Sequence, residues 1–349
     1  MSNIGKEKPG ETQENVEKIK ITSEEEIEKK MFKSLKKHEL PDYLLYTGTY
    51  GAKGWLKLDE SETFPVARQL KVLLEKNIAS IVRFIPTGMS LVSVGVGSGD
   101  KEKILLGELI KKNLAEKPAF GRVSIRYYPI DISSQLVDIA LEKVSGLPVE
   151  KKGIVGFLEE MPLLKNYWRL PVLFCILGNT FCNYDPEFIL KLVYENLEQG
   201  DLFLFDADLL PTRRLGEEAK SARKSVLDTY ASRENTLFNM CPLLQYGMDT
   251  EDFDFEILLG HVDSRIGKVY RTRKSLNILK DAKIEIGQEI IDFREGDIIH
   301  MGFTYKYTYE QIIAFLNICR FDVLNFFLNE DRSNAIILAK KTLMRTTIN

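Results

Sequence analysis

Apolar residues along the chain alternate between helical spacing and short unbroken runs. PVARQLKVLLEKNIASIVRFI carries its apolar positions at helical spacing directly after Pro65, a residue suited to a first turn. MSLVSVGVGSGD reads as a short buried strand from Leu91 to Val96 ending in glycines, and KEKILLGELIKKNL as a helix. RVSIRYYPIDIS gives a second strand ending at Asp131, followed by a helix, SQLVDIALEKV, begun by Ser133 or Ser134. After a glycine-containing stretch near Gly153 come an apolar strand (LPVLFCILGN), a helix (PEFILKLVYENL) and a further strand (DLFLFDADLL). Continuous apolar strands separated by amphipathic helices predict a parallel sheet covered on both faces.

Residues 214 to 304 break the rhythm. A polar helix, GEEAKSARKSVLDTYASREN, precedes strand-like alternation in FEILLGHVD, GKVYRTRKSLNILKDAKIEI and DIIHMGFTYKY, which predicts an inserted and more antiparallel lobe. TYEQIIAFLNICRF then reads as a helix, and FDVLNFFLNE and NAIILAKKT as strands joined by Glu330-Asp331-Arg332-Ser333. So short a turn forces the last pair to be antiparallel. The expected fold is α/β: a class I methyltransferase Rossmann-like sheet with an antiparallel terminal hairpin, plus an inserted smaller α+β lobe. Residues 1–29, rich in Glu and Lys, read as a polar disordered tail, with a capping box at Ser23 to Glu26 opening a helix. Residues 65–213 and 305–349 are expected to form the donor-binding domain, and 30–64 and 214–304 the substrate-binding lobe.

Composition narrows the chemistry. With 349 residues, 44% of them hydrophobic, the chain can bury a large core, and 48 Lys plus Arg against 51 Asp plus Glu leaves no basic excess for nucleic acid or anionic membranes. No apolar run is long enough to span a membrane and no signal pattern opens the chain, so the expected location is cytoplasmic. Cys175, Cys182, Cys241 and Cys319 form no C-x-x-C pair and have no His at ligand spacing, so no metal is expected. His38, His261 and His300 are the only histidines, and no G-x-S-x-G elbow accompanies them.

Gly95-Val96-Gly97-Ser98-Gly99 follows the first strand and opens a helix, a place where glycine lets a ligand approach main-chain N–H groups. Asp100 and Glu102 beside it disfavour a pyrophosphate and leave room for a cationic sulfonium. Asp131 is placed to receive ribose hydroxyls; capping the next helix is the alternative. A nicotinamide-dependent oxidoreductase therefore ranks below a methyltransferase.

LVSVGVGSGDKEKILL, YYPIDIS, LFCILGNTFCNYDP and TYKYTYEQI resemble motifs of the histidine-specific S-adenosylmethionine-dependent methyltransferase family, over roughly residues 42 to 340. The most specific piece is G-x-T-x-x-N followed by Pro, here Gly178 to Pro186. The resemblance implies a donor site at Tyr46, Gly95, Gly97, Ser98, Gly99, Lys103, Asp131, Ile132, Gly156, Phe157, Gly178 and Asn179, with no adenine-side Asp. It implies acceptor contacts at Phe64, Asn183, Tyr230, Gly302, Thr304 and Tyr305, with Asn183 and Tyr46 nearest the chemistry; for Asn183, a turn role before Asp185-Pro186 stays open. Phe64 stands where the family has a Tyr, and Gly302 where it has the Glu that recognises imidazole. The expected reaction is N-methylation of a small amine or amino-acid-like acceptor other than free histidine; a catalytically silent donor-binding relative is the alternative. Along Thr304-Tyr305-Lys306-Tyr307, strand alternation turns one pair to the core and the other outward.

Overall fold

The computed structural model describes residues 17–116, 125–210 and 217–342. In chain order its strands and helices are β1 (Glu17–Lys20), α1 (Glu24–Leu35), β2 (Glu39–Leu40), α2 (Gly48–Asp59), α3 (Val66–Val82), β3 (Ser90–Val94), α4 (Asp100–Ala115), β4 (Ile125–Asp131), α5 (Ser134–Lys143) and β5 (Val149–Val155). There follow α6 (Met161–Leu164), β6 (Val172–Ile176), α7 (Pro186–Asn196), β7 (Leu202–Asp208), α8 (Glu217–Tyr230), α9 (Arg233–Gln245), β8 (Phe253–Ser264), β9 (Gly267–Ile278), β10 (Ala282–Ile286), β11 (Glu289–Phe293), β12 (Ile298–Lys306), α10 (Tyr309–Ile318), β13 (Phe321–Leu328) and β14 (Asn334–Lys341).

Eight strands form one sheet in the order β1-β5-β4-β3-β6-β7-β14-β13. The pairs from β1 to β7 are parallel, and β14 enters antiparallel to both β7 and β13. With the edge strand β1 set aside, this is the class I methyltransferase order, closed by the antiparallel hairpin that the short polar turn predicts. Both faces are buried. Val92, Val94, Phe174 and Ile176 pack into one layer, while Leu91, Leu173 and Cys175 pack into the other. β3 lies at the centre with β4 on one side and β6 on the other, so the crevice for a ligand opens beyond the carboxyl ends of these three strands.

A second sheet, β2-β12-β9-β8, is antiparallel except for the parallel pair β2 and β12. It shares a core with α1, α2 and α9, through residues such as Leu35, Leu58, Phe238 and Leu276. β12 links the two sheets: past Lys306 the chain bridges from Tyr307 to Leu209, just beyond β7.

Three elements depart from the sequence expectation. The disordered tail to residue 29 falls outside the described residues only up to 16; Glu17–Lys20 is an edge strand on β5, fixed by Lys18 to Asp138 at 2.7 Å. The stretch near Gly153 is strand β5, whose polar start suits an edge and whose glycine admits α5: a Cβ there would stand 2.6 Å from a Val137 methyl. Helix α9 carries buried side chains on every side and Pro242 within it, so no one-faced pattern marks it. The capping box does form, Ser23 N–H donating to Glu26 and Glu26 N–H to Ser23 Oγ. Among the described residues no helix is long and apolar enough to cross a membrane.

Candidate active site

Beyond the carboxyl ends of β3, β4 and β6 the structure opens a cleft of about 440 Å³. One end is the glycine turn. Gly95, Gly97 and Gly99 all take left-handed backbone angles, φ 68°, 54° and 72°. A Cβ on Gly97 would lie 2.8 Å from Trp55 Nε1, and one on Gly99 2.9 Å from the Ala140 backbone. The turn is therefore held between α2 on the cleft side and α5 behind, and only glycine fits. Gly95 and Gly97 line the cleft; Ser98 and Gly99 shape the turn without reaching it, and Lys103 is exposed on α4 away from it.

Asp131 ends β4 in the wall of this end, 6% exposed. Its carboxylate accepts from Ser133 N–H at 2.9 Å and, more distantly, from Gly97 N–H at 3.4 Å. Ser133, not Asp131, caps α5. Burial pushes the Asp131 carboxyl up to about 6, against the backbone N–H groups of Ser133, Gly97, Ile132 and Val96 that favour its ionised form. Ile132, Gly156 and Phe157 continue the wall, and Tyr43 meets the Phe157 ring edge-on at 5.1 Å. Tyr46 closes the opposite side, packed on Trp55 and Phe238 at 5.3 and 5.2 Å.

The acidic character of the cleft comes from other residues than the sequence suggested. Asp100 is bound by Lys143 at 2.8 Å and Lys71 at 3.3 Å, and Glu102 is buried against Ser93 at 2.6 Å; neither lines the cleft. The lining carboxylates are Glu39, Asp42, Asp131, Glu159 and Asp185, with no lysine or arginine among the described lining residues. That wall attracts a sulfonium and repels a pyrophosphate. The concave glycine turn, the buried carboxylate at the end of β4 and this charge pattern all fit S-adenosylmethionine.

At the other end, Asn183 ends the turn Thr180–Asn183 after β6. Its carbonyl oxygen accepts from Thr304 Oγ1 at 3.0 Å, across to β12. The cap of α7 is Asp185, which accepts from Glu187 and Phe188 N–H at 3.0 Å, so the Asn183 side chain has no turn role. Behind Asn183 lies an inner cavity of about 40 Å³ that shares Asp42, Tyr46, Trp55 and Asn183 with the cleft. Phe64, Tyr230 and Thr304 line it, as do Gly178 and Asn179. Gly178 and Asn179 are held by Asp206, which accepts both backbone N–H groups at 2.9 and 2.7 Å, and the Asn179 amide is spent on Asp208 N–H and Tyr230. These two residues therefore line the inner cavity and not the cleft.

Along residues 304 to 307 the expected inside–outside alternation fails. Thr304, Tyr305, Lys306 and Tyr307 are all at most 5% exposed, because both faces of this end of β12 are covered. Thr304 faces the inner cavity. Tyr305 stacks on Tyr307 in the core, donates to Asp185 at 3.4 Å and lines neither space. Lys306 is fully buried, ion-paired to Asp208 and donating to Tyr230 at 2.8 Å. Burial works to lower Lys306, but Asp208 and Tyr230 hold it above the usual lysine range, and burial also raises Tyr230. The Tyr230 oxygen receives donors from both Lys306 and Asn179, which leaves its own proton to be donated.

At Gly302 the space a side chain would take is filled by Asp42: a Cβ on Gly302 would stand 2.4 Å from Asp42 Cγ. Sequence reasoning missed Asp42, Trp55 and the Lys306–Asp208 pair. Trp55, one of only two tryptophans, was the one readable signal.

Among solved structures, the fold resembles an S-adenosylmethionine-dependent methyltransferase from Clostridium acetobutylicum at TM-score 0.43 and 10% identity, covering 85% of this chain and all of that one. The CcbJ methyltransferase from Streptomyces caelestis matches at 0.41 and 14%, over 84% and 98% of the two chains. Likenesses this distant do not bear on substrate. No curated protein sequence matches. The profile of the histidine-specific, S-adenosylmethionine-dependent methyltransferases matches residues 24–341, and the chain belongs to that family.

Proposed function

We propose that this methyltransferase N-methylates a small amine or amino-acid-like acceptor, with the donor over Gly95, Gly97 and Asp131 and the acceptor between Asn183 and the inner cavity. The observation that carries this reading is that a carboxylate-lined cleft with a glycine turn and an inner cavity with polar groups in its wall lie against each other, with Asn183 and Tyr46 lining both. The eight-stranded sheet supports reading 65–213 and 305–349 as the donor-binding domain, and the four-stranded sheet supports 30–64 and 214–304 as the acceptor lobe.

When bound, the donor supplies a methyl group on positively charged sulfur, open to in-line displacement. The chain's task is positioning and water exclusion. Asp131 takes ribose hydroxyls, Phe157 flanks the adenine, and Glu159 stands in the same wall as a carboxylate for the exocyclic amine. Trp55 and Tyr46 cover the reacting end. The Asn183 carbonyl keeps a second lone pair beside the one used by Thr304, enough to orient an acceptor N–H. Burial lowers the acceptor amine's pKa, so no strong base is needed.

Of the two losses that set free histidine aside, the one at Gly302 is made good by Asp42. Phe64, a ring without a hydroxyl against the inner cavity, is the remaining ground for ranking free histidine below other acceptors. Calorimetric titration with S-adenosylhomocysteine and NAD, followed by methyl-transfer assays on an amine panel, tests the reading. Binding of the first, no response to the second and methylation at nitrogen are expected; transfer to oxygen or carbon acceptors alone overturns it.

A further inference from the structure

β2 runs parallel beside β12, with Glu39 opposite His300 and Leu40 opposite Met301. Two residues on, Asp42 arrives next to the irregularity that interrupts the β12–β9 pairing between His300 and Phe303. Gly302 lies in that irregularity. A side chain there would meet the Asp42 oxygens at 2.6 and 2.7 Å, so glycine is what leaves the carboxylate its place. Lys274, from β9, donates to Asp42 Oδ1 at 2.5 Å. The second oxygen, Oδ2, is buried without a hydrogen-bond partner in a residue only 8% exposed. Asp42 lines both the cleft and the inner cavity. A pair serving the fold alone gains nothing from a buried acceptor left empty, since that lone pair has lost its water.

We infer that Asp42 selects the acceptor, its Oδ2 receiving an N–H group at the end remote from the methylated nitrogen. The assignment rests on the N-methyltransferase reading and adds the wall residue that sets acceptor choice. Lys274 already balances the carboxylate charge, and a second ammonium would meet repulsion from it. The fitting class is therefore a neutral N–H donor, such as a carboxamide, indole or imidazole, carried on an amine or amino acid.

The test compares amino acids that differ in that group: glutamine with methionine, tryptophan with benzothienylalanine, histidine with thienylalanine. In the unmodified protein, at least one N–H member is expected to exceed its partner tenfold or more in kcat/KM. Asp42→Asn is expected to raise the KM of that substrate ten- to a hundredfold, with kcat changed far less and S-adenosylhomocysteine affinity within twofold. Gly302→Ala, which moves the carboxylate without removing its charge, is expected to do the same. A preference that survives both variants, or amines methylated with no N–H preference at all, overturns the role of Asp42 alone. S-adenosylhomocysteine binding with no amine methylated overturns the proposed function and this assignment with it. Should both variants fail to fold, the preference of the unmodified protein decides.

Discussion

Thr304 and Asn183 are 121 residues apart in sequence, yet the Thr304 hydroxyl donates to the Asn183 carbonyl at 3.0 Å. The bond ties β12 to the turn after β6, and Asn183 stands in the wall common to the cleft and the inner cavity. Asn183→Ala is expected to lower kcat/KM for the acceptor by roughly ten- to a hundredfold, the worth of one oriented hydrogen bond in a closed site. S-adenosylhomocysteine affinity should stay within about twofold, since the proposed donor site is at the other end of the cleft. Steady-state kinetics and calorimetry on the same variant check both halves.

A pH-dependent donor affinity is expected from Asp131. Its carboxyl is raised from the usual 3.8 to about 6 by burial. Ribose hydroxyls favour the ionised form, so affinity is full above pH 6 and falls as the pH drops through that value, by up to about tenfold per unit. Asp131→Asn is expected to lower affinity roughly ten- to a hundredfold at pH 7.5 and to flatten the profile. Titrations with S-adenosylhomocysteine between pH 5 and 8 read both.

Much of this was legible in the sequence, and the reasons differ from element to element. β3, β6 and β7 are buried on both faces, so β6 is an unbroken apolar run, β3 is broken only by serine and β7 is apolar up to Asp206, and the glycine turn must follow β3. Asp131 was legible because strand and helix signals bracket it. Asp42 was not: its meaning depends on β2 lying parallel beside β12 and on the missing side chain of Gly302, a relation between positions 260 residues apart. The Lys306–Asp208 pair was hidden for the same reason, since period-two alternation cannot reveal that both faces of a strand end are covered. Asp100 was misread because the lysines that bind it, Lys71 and Lys143, come from other helices.

Glu102 makes the fold more stable in acid than its sequence suggests. Burial raises its carboxyl from the usual 4.5 to about 7, with the Ser93 hydrogen bond opposing. The unfolded chain therefore ionises it more readily, and its cost to the fold is absent below pH 4.5, grows between 4.5 and about 7 and levels off above that. Glu102→Gln, which keeps a carbonyl for Ser93, is expected to stabilise by about 2–3 kcal/mol at pH 8 and by little at pH 5. Denaturant melts at the two pH values measure the difference.

Gly97 and Trp55 make a paired prediction for the donor end. Gly97→Ala places a methyl 2.8 Å from Trp55 Nε1 on a backbone with φ 54°. A stability loss of about 1–2 kcal/mol is expected, together with at least tenfold weaker donor binding. Trp55→Ala beneath it should restore part of the stability but not the affinity, because the cover is gone. Melts and titrations on the single and double variants separate strain from lost contact.

Product analysis with methyl-deuterated S-adenosylmethionine tests the account most directly. The protein is incubated with amines and amino acids, and mass spectrometry reads which atom carries the label. The account predicts label on nitrogen, formed roughly ten- to a hundredfold more slowly in Asn183→Ala, while S-adenosylhomocysteine still binds the variant. Label on oxygen or carbon, or nitrogen labelling that persists undiminished in Asn183→Ala, would contradict it.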